Sequence, residues 1–488
     1  MPKHIIVIIT HILFIQIIFF LFPNSLRCSA SKFDVNIVLI TIDTLRADHL
    51  SCYGYERETS PHIDKIAERS YVFKNVIAPS SWTSPSMVSL FTSVYPINHG
   101  VVHGFVKDKQ IVNQEVFSDK LITLAEILQS RGYTTFGVAS NLHLCEEYGF
   151  ARGFDYFKCL PFYPAPAVNK TVALWEKEIK KAEKFFLWLH YFDPHHPYSP
   201  RKPWINAYTS EDLTRELGLY GKSKEELFSL IPKFNQKTEA LSNLIALYDS
   251  EINFVDSYIG RIIKKYGFDR NTFLIITSDH GEEFLDHGKL DHGHNLHRET
   301  ITVPLIVKLP QQKTGQIISQ QVSLLDIMPS ILNVLDIPSS EQILGKPLLA
   351  PNDHVRKLPD RMFFSELQKG NNNMKAILTD EWKYIHNHKG TIEKLYDWVK
   401  SILFEDWRFL FSYEDPVEGL YNRKKDPYEQ QNLIKENPSV SATLKGQLLQ
   451  WVNNAHNYPA EKITVSPSQE LLEKLKALGY ISNKNSSQ

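Results

Sequence analysis

Asn36-Ile37-Val38-Leu39-Ile40-Thr41-Ile42-Asp43 is a short apolar, β-branched run closed by a carboxylate. Such a run, without regular polar alternation, marks a strand buried on both faces. Thr272-Phe273-Leu274-Ile275-Ile276-Thr277-Ser278 repeats the pattern and is closed by Asp279-His280. Phe185-Phe186-Leu187-Trp188-Leu189-His190 is a third run, and Thr302-Val303-Pro304-Leu305-Ile306-Val307 a fourth. Helical patterns lie between them. One runs from Thr123 to Arg131 and stops at Gly132. A longer one, Thr238 to Tyr266, repeats apolar residues every three or four positions: Leu241, Leu244, Tyr248, Ile252, Val255, Ile259 and Ile262. Gly267 can serve as its left-handed stop. Strands alternating with helices predict an α/β sandwich: a central, largely parallel mixed sheet flanked by helices.

After residue 345 the texture changes to Pro-rich, charged loops around short strand-like pieces, Ala376-Ile377-Leu378-Thr379 and Trp382-Lys383-Tyr384-Ile385. The expected division is a catalytic domain over 34–345 and a smaller α+β subdomain over 346–480, with an antiparallel sheet and a helix near Pro438 to Asn454.

The chain has 488 residues, 43% hydrophobic, and a formal net charge of −1, so it can bury a large core and carries no basic stripe for nucleic acid. Lys3, the apolar run Ile5 to Phe22 and the small-residue site Cys28-Ser29-Ala30 predict a signal peptide over 1–30. The mature chain is then secreted or periplasmic. If the segment is not cleaved, residues 5–22 are a membrane anchor instead. Cys145 and Cys159 are close enough to pair in an oxidising compartment, and Cys52 is expected to be buried. Asn169-Lys170-Thr171 is a glycosylation sequon by pattern.

Chemistry gathers at strand ends. In open α/β sheets ligands bind outside the carboxyl ends of strands, where Asp43 and Asp279-His280 fall. Each Asp alone reads as a helix cap before a ligand; together, with Gly281 letting the backbone turn, the two carboxylates and the imidazole favour a divalent metal. Ser80-Ser81-Trp82-Thr83-Ser84-Pro85-Ser86-Met87-Val88-Ser89-Leu90-Phe91-Thr92-Ser93 holds eight hydroxyl side chains. Pro85 at the first helical position makes Ser84 the N-cap, with Thr83 just outside and Met87, Val88, Leu90, Phe91 and Val94 on the buried face. Thr83 then sits at the positive end of a helix, where anions bind. Metal coordination can turn its hydroxyl into a nucleophile.

Together these segments resemble the sulfatase family of the alkaline phosphatase superfamily, from about Asn36 to Leu433. The matching pieces are Asn36 to Asp43 with Cys52-Tyr53-Gly54, Ser60-Pro61-His62-Ile63-Asp64, and Thr83-Ser84-Pro85-Ser86 with Tyr95-Pro96-Ile97-Asn98-His99-Gly100. Then come Asp193-Pro194-His195-His196-Pro197-Tyr198, Ser278-Asp279-His280-Gly281-Glu282, and Gly419-Leu420-Tyr421-Asn422 with Asp426-Pro427. The chain departs where typical sulfatases carry Cys/Ser-x-Pro-Ser-Arg. Thr83 stands at the formylglycine position and Met87 at the arginine, as in the threonine-nucleophile phosphotransferases and phosphodiesterases of the superfamily. The lysine–tryptophan–histidine segment is replaced near Ser140-Asn141-Leu142-His143.

The resemblance implies a metal-dependent hydrolase of sulfate or phosphate esters, small-molecule, glycan or lipid-headgroup. Asp43, Thr83, Asp279 and His280 hold one divalent ion, Ca2+, Mg2+ or Mn2+. Thr83 attacks, His195 binds the ester oxygens, and His294 or His292 protonates the leaving group. Glu299 orients a neighbour, while Asp286, His287 and His297 read as a solvated loop. Rivals are a phosphotransferase, a two-metal (Zn2+) phosphodiesterase using Asp193, His195 or His196 and His292, and a non-catalytic binding protein with the same fold.

Overall fold

The computed structural model describes residues 35–103, 105–108, 111–230, 238–350, 355–369, 372–388, 417–455, 463–466, 469 and 473. The expected signal peptide, its apolar run and Cys28 lie outside these. Among the described residues no helix is long and apolar enough to cross a membrane.

The four apolar runs are strands of one eight-stranded sheet. Its order is Gln316–Ser323, Tyr71–Ile77, Thr302–Lys308, Thr272–Ser278, Asn36–Ile42, Phe185–Tyr191, Thr134–Ala139 and Tyr156–Cys159. Thr302–Lys308 runs antiparallel to both neighbours, and the other pairs are parallel. Asn36–Ile42 is central, and Ile37, Val38, Leu39, Ile40 and Ile42 are fully buried. Its two faces feed separate cores: Ile37 and Leu39 pack on one side, Val38, Ile40 and Ile42 on the other. Truncating one of these side chains to Ala costs about 2–5 kcal/mol, since the packed layers cannot close the cavity.

Register aligns the strand ends. Ile42 pairs with Ser278 on one side and Tyr191 on the other, so Asp43 and Asp279 emerge level. Ala139 pairs with His190, which brings the loop after Thr134–Ala139 to the same edge.

The long helix spans Glu239–Tyr266, capped by the Thr238 side chain on the Leu241 N–H and ended by Gly267 at φ 68°. All seven apolar positions of its predicted stripe are buried. Leu124–Ser130 is opened by a reciprocal capping box between Thr123 and Glu126.

Phe363–Lys369, Asn372–Leu378, Trp382–Asn387 and Glu418–Asn422 form an antiparallel sheet. The Pro438–Ala455 helix covers it, burying Leu444 and Leu448 against Ile377, Tyr384 and Leu420. A buried cluster around Glu429 ties this sheet to the rest of the chain. Glu429 accepts from Lys383 Nζ at 2.8 Å and the Arg298 N–H at 3.1 Å, and approaches His297 Nδ1 at 3.3 Å.

Several expectations are corrected here. The helix begins at Thr83, not Pro85: it spans Thr83–Thr92 with Trp82 as N-cap, φ −159°, and no side-chain cap. Ser84 is therefore not a cap, and its hydroxyl lacks a hydrogen-bond partner. The helix is also buried all round rather than on one face. Gly281 is required for approach rather than for turning, since a Cβ there would lie 1.9 Å from the Glu299 carbonyl oxygen. Cys52 is free and only partly buried rather than buried, whereas Cys145 and Cys159 do form the disulfide that their spacing allows. Asn169 is engaged at both ends of its amide, donating to the Tyr258 carbonyl (2.8 Å) and accepting from the Tyr191 hydroxyl (2.7 Å), so the sequon is not displayed.

Candidate active site

Asp43 and Asp279 leave adjacent strands at one level and meet, with His280, in a fully buried group whose ligand atoms lie within 4.8 Å of one another. Asp43 Oδ2 accepts from Asn141 Nδ2 at 2.6 Å and lies 3.4 Å from His190 Nε2. Asp279 Oδ1 accepts from the N–H groups of His280 (2.9 Å) and Thr44 (3.3 Å). The opposite oxygens, Asp43 Oδ1 and Asp279 Oδ2, are buried without a hydrogen-bond partner. His280 Nδ1 must donate to the Gly281 carbonyl at 2.9 Å, which leaves Nε2 with its lone pair. That Nε2 lies 3.7 Å from Asp43 Oδ1 and 3.4 Å from Asp279 Oδ2. Burial pushes His280 down to about 3, so the ring is neutral.

Three lone-pair atoms thus face each other in a dry space. Burial and the facing Asp43 charge push the Asp279 carboxyl well above its ordinary range, while the contact with His190 holds Asp43 below it against burial. Bare carboxylates and a neutral imidazole repel one another in this arrangement, and a cation would satisfy all three. The donor set therefore fits a divalent metal by geometry and by chemistry. Thr83 stands beside it at the helix N-terminus: its Oγ1 lies 3.2 Å from His280 Nε2 and accepts from Asn141 Nδ2 at 3.5 Å.

The neighbouring histidines divide. The His292 ring centroid lies 4.4 Å from that of His280 and 5.0 Å from that of His195. Burial pushes His292 down, but Asp291 Oδ1 at 3.0 Å and Glu282 Oε1 at 3.1 Å from Nδ1 hold it up at about 9. His294 instead turns its Nε2 to Glu283 Oε2 at 2.7 Å and does not join the group. His195 is stacked on Phe192 at 4.5 Å and donates from Nδ1 to the His196 carbonyl at 2.6 Å. Burial and His196 keep its ring neutral.

Two further expectations are overturned. Asp286, His287 and His297 are no solvated loop. His287 and His297 are buried and stacked at 3.6 Å, and Asp286 pairs with Arg46 at 2.8 Å. Glu299 Oε1 holds His287 Nδ1 at 2.9 Å, the neighbour it orients. Asp193 does not gather with the histidines expected beside it, and its Oδ2 accepts the Ala165 N–H at 2.8 Å. The atoms that do gather beside the first group belong to His195, His196 and His292, as expected, and to His196, Glu282, Asp291 and His292.

Asn141 is a residue that the sequence reading misses, although it lies two positions past the Thr134–Ala139 strand, at the same edge as Asp43 and Asp279. The strand-end rule, applied once more, finds it. His190 carried no signal, since it lies inside an apolar strand.

A family profile described as Sulfatase matches residues 35–337. Sulfatase YidJ of Escherichia coli is 23% identical over 365 residues, covering 64% of this chain and 70% of that protein. A protein solved with its substrate, D-glucosamine-2-N,6-O-disulfate, superposes with a TM-score of 0.65 at 19% identity, covering 88% of this chain and 100% of that one. The phosphonate monoester hydrolase of Agrobacterium radiobacter superposes with a TM-score of 0.63, also at 19% identity, over 89% of this chain and 100% of that one.

Proposed function

The chain belongs to the sulfatase family, whose members are ester hydrolases, and from that premise we propose that it hydrolyses sulfate or phosphate esters with Thr83 as the nucleophile. The carrying observation is the Thr83 hydroxyl, 3.2 Å from His280 Nε2 at the opening of a buried helix. Asp43 Oδ1, Asp279 Oδ2, His280 Nε2 and the Thr83 oxygen would hold a divalent ion. When bound, it supplies Lewis acidity that lowers the pKa of a coordinated hydroxyl and offsets the two carboxylates. Asn141 orients the Thr83 oxygen and donates to Asp43.

In the proposed reaction the Thr83 oxygen, its proton lost to solvent, attacks phosphorus or sulfur. A bond from Thr83 forms and the bond to the substrate's alcohol oxygen breaks. His292, the imidazole beside His280, gives that oxygen its proton. Water then attacks the threonine ester, His292 takes a proton back, and Thr83 is regenerated. His195 lies against the same space and would bind the ester oxygens once protonated there. An alcohol in place of water would make the same steps a group transfer.

A second reading is a two-metal phosphodiesterase. The His195, His196 and His292 group and the His196, Glu282, Asp291 and His292 group favour it, with Asp193 in neither. Metal content per chain, with turnover of matched aryl phosphate and aryl sulfate, separates these from a non-catalytic binding protein. One ion and Thr83-dependent turnover support the first reading. Absence of turnover with any ester in the metal-loaded protein rejects it. Export belongs to the same proposal, and N-terminal sequencing of a secreted form starting near Ser31 tests it. The division of the chain near residue 345 is likewise proposed, with the antiparallel sheet as the second subdomain.

A further inference from the structure

We propose that Lys369, at the end of the Phe363–Lys369 strand, is a substrate-binding residue: its ammonium meets the non-bridging oxygens of the ester and favours a doubly charged group over a singly charged one. The inference rests on the reading of Thr83 as nucleophile.

Lys369 comes from the C-terminal sheet, yet its ammonium is held between two residues of the main domain. Nζ lies 4.8 Å from the Trp82 ring centroid. On the other side, a Cβ placed on Gly293 would come within 3.0 Å of Nζ and 3.1 Å of Cδ. Trp82 immediately precedes Thr83, and Gly293 immediately follows His292. The ammonium therefore stands between the chain neighbours of the proposed nucleophile and the proposed acid. Trp82 is 2% exposed, so it is a fixed platform, and a cation over its face gains about 0.5–2 kcal/mol. Gly293 has φ +70° and no side chain, which keeps the approach open; any larger residue would displace the lysine.

The charge is felt inside the site. Beyond burial, Lys369 helps to push down His143, whose ring lies edge-on to Trp82 at 5.8 Å. Nearby stand the carboxylates of Asp43, Asp279, Glu282 and Asp291, all buried. An anionic ester entering this field is repelled unless cations face it. A lysine ammonium is a compact point charge with three rotatable donors, suited to phosphoryl oxygens whose orientation changes during reaction. The main domain alone then lacks part of its substrate site.

The test uses the full chain loaded with a divalent metal and a non-hydrolysable isosteric pair, phenylphosphonate and benzenesulfonate. At alkaline pH the first carries two charges and the second one. In titration calorimetry, Lys369→Met should weaken phenylphosphonate binding about 10- to 100-fold, the scale of a hydrogen bond to a charged group, and benzenesulfonate by clearly less. Lys369→Arg should recover most of the loss. Equal weakening of both ligands, or Lys369→Arg as poor as Lys369→Met, would mean a structural role and overturns the proposal, as would unchanged binding. Lys369→Gln replaces Lys369→Met should the latter fail to fold. If the wild-type enzyme turns over no ester, the reading of Thr83 fails, while the two binding curves still judge Lys369.

Discussion

The hydroxyl oxygen of Thr83 lies 3.2 Å from Nε2 of His280, and the helix that carries it starts at Thr83 itself. The first turn of that helix therefore presents both its positive end and its first side chain to the buried acidic group. Thr83→Ala should lower turnover by roughly 10⁴-fold or more, since it removes the covalent route. Thr83→Ser should keep part of the rate because the hydroxyl remains. Ser84→Ala should leave turnover within a few-fold, because the Ser84 hydroxyl has no partner to lose. Trapping a phosphorylated Thr83 from a slow substrate is the direct check. Full activity in Thr83→Ala would reject the assignment.

The repulsion among Asp43, Asp279 and His280 predicts opposite effects with and without metal. In metal-free protein, Asp279→Asn should raise the unfolding temperature, because burial beside Asp43 makes ionised Asp279 unfavourable and the neutral amide does not carry that cost. With Mn2+ or Ca2+ present, wild type should gain stability in proportion to ion occupancy, and Asp279→Asn should gain far less. Thermal melts with a chelator and with each ion measure both. A variant that is less stable than wild type in chelator, and equally stabilised by metal, would mean that these oxygens are not ligands.

His292 and His294 are separated by one residue in sequence but by function in this reading. Only His292 reaches the group, while His294 is held by Glu283 at 2.7 Å. His292→Ala should cost about 10²–10⁴-fold with esters of basic alcohols, which need a proton as they leave. With nitrophenyl esters, whose leaving oxygen needs none, the loss should be much smaller. His294→Ala should show no such dependence on the leaving group. A Brønsted plot of kcat/KM for the two variants decides between them.

How much of this was legible in sequence depends on the range of the interactions. Asp43 and Asp279 were legible because each closes a buried strand, and neighbouring parallel strands in register must deliver their next residues to one place. Thr83 is legible too, but the Pro85 signal places the helix start two residues after its true position. Proline at the first position is a local preference, and here burial of the whole segment overrode it. The choice between His292 and His294 needed the carboxylate of Glu283, which hydrogen-bond geometry alone assigns. The histidines misread as solvated, His287 and His297, are covered by Glu429, more than a hundred residues downstream. Lys369 is hidden for the same reason: nothing local in a strand of another subdomain says that its tip reaches Trp82.

The last prediction concerns that subdomain contact. Glu429 is buried, and although burial opposes ionisation, Lys383 and His297 hold its carboxyl well below the ordinary 4.5. A depressed carboxylate contributes stability above its unfolded pKa and loses it as pH falls towards the folded value. Wild type should therefore lose stability progressively below about pH 5, as the unfolded chain takes up a proton that the folded chain refuses. Glu429→Gln should flatten that part of the profile. Near neutral pH it should cost about 3–5 kcal/mol, because Lys383, fully buried, is left without its counter-charge. Glu429→Gln combined with Lys383→Met should recover much of the loss, since an apolar pair carries no buried charge. The strand bearing Lys369 belongs to the sheet that Lys383 anchors, so Glu429→Gln should also weaken phenylphosphonate binding, and the double variant should restore it. Denaturant titrations across pH, run beside the binding measurement, test both halves. An acid slope unchanged in Glu429→Gln would show that the contact does not couple to protons.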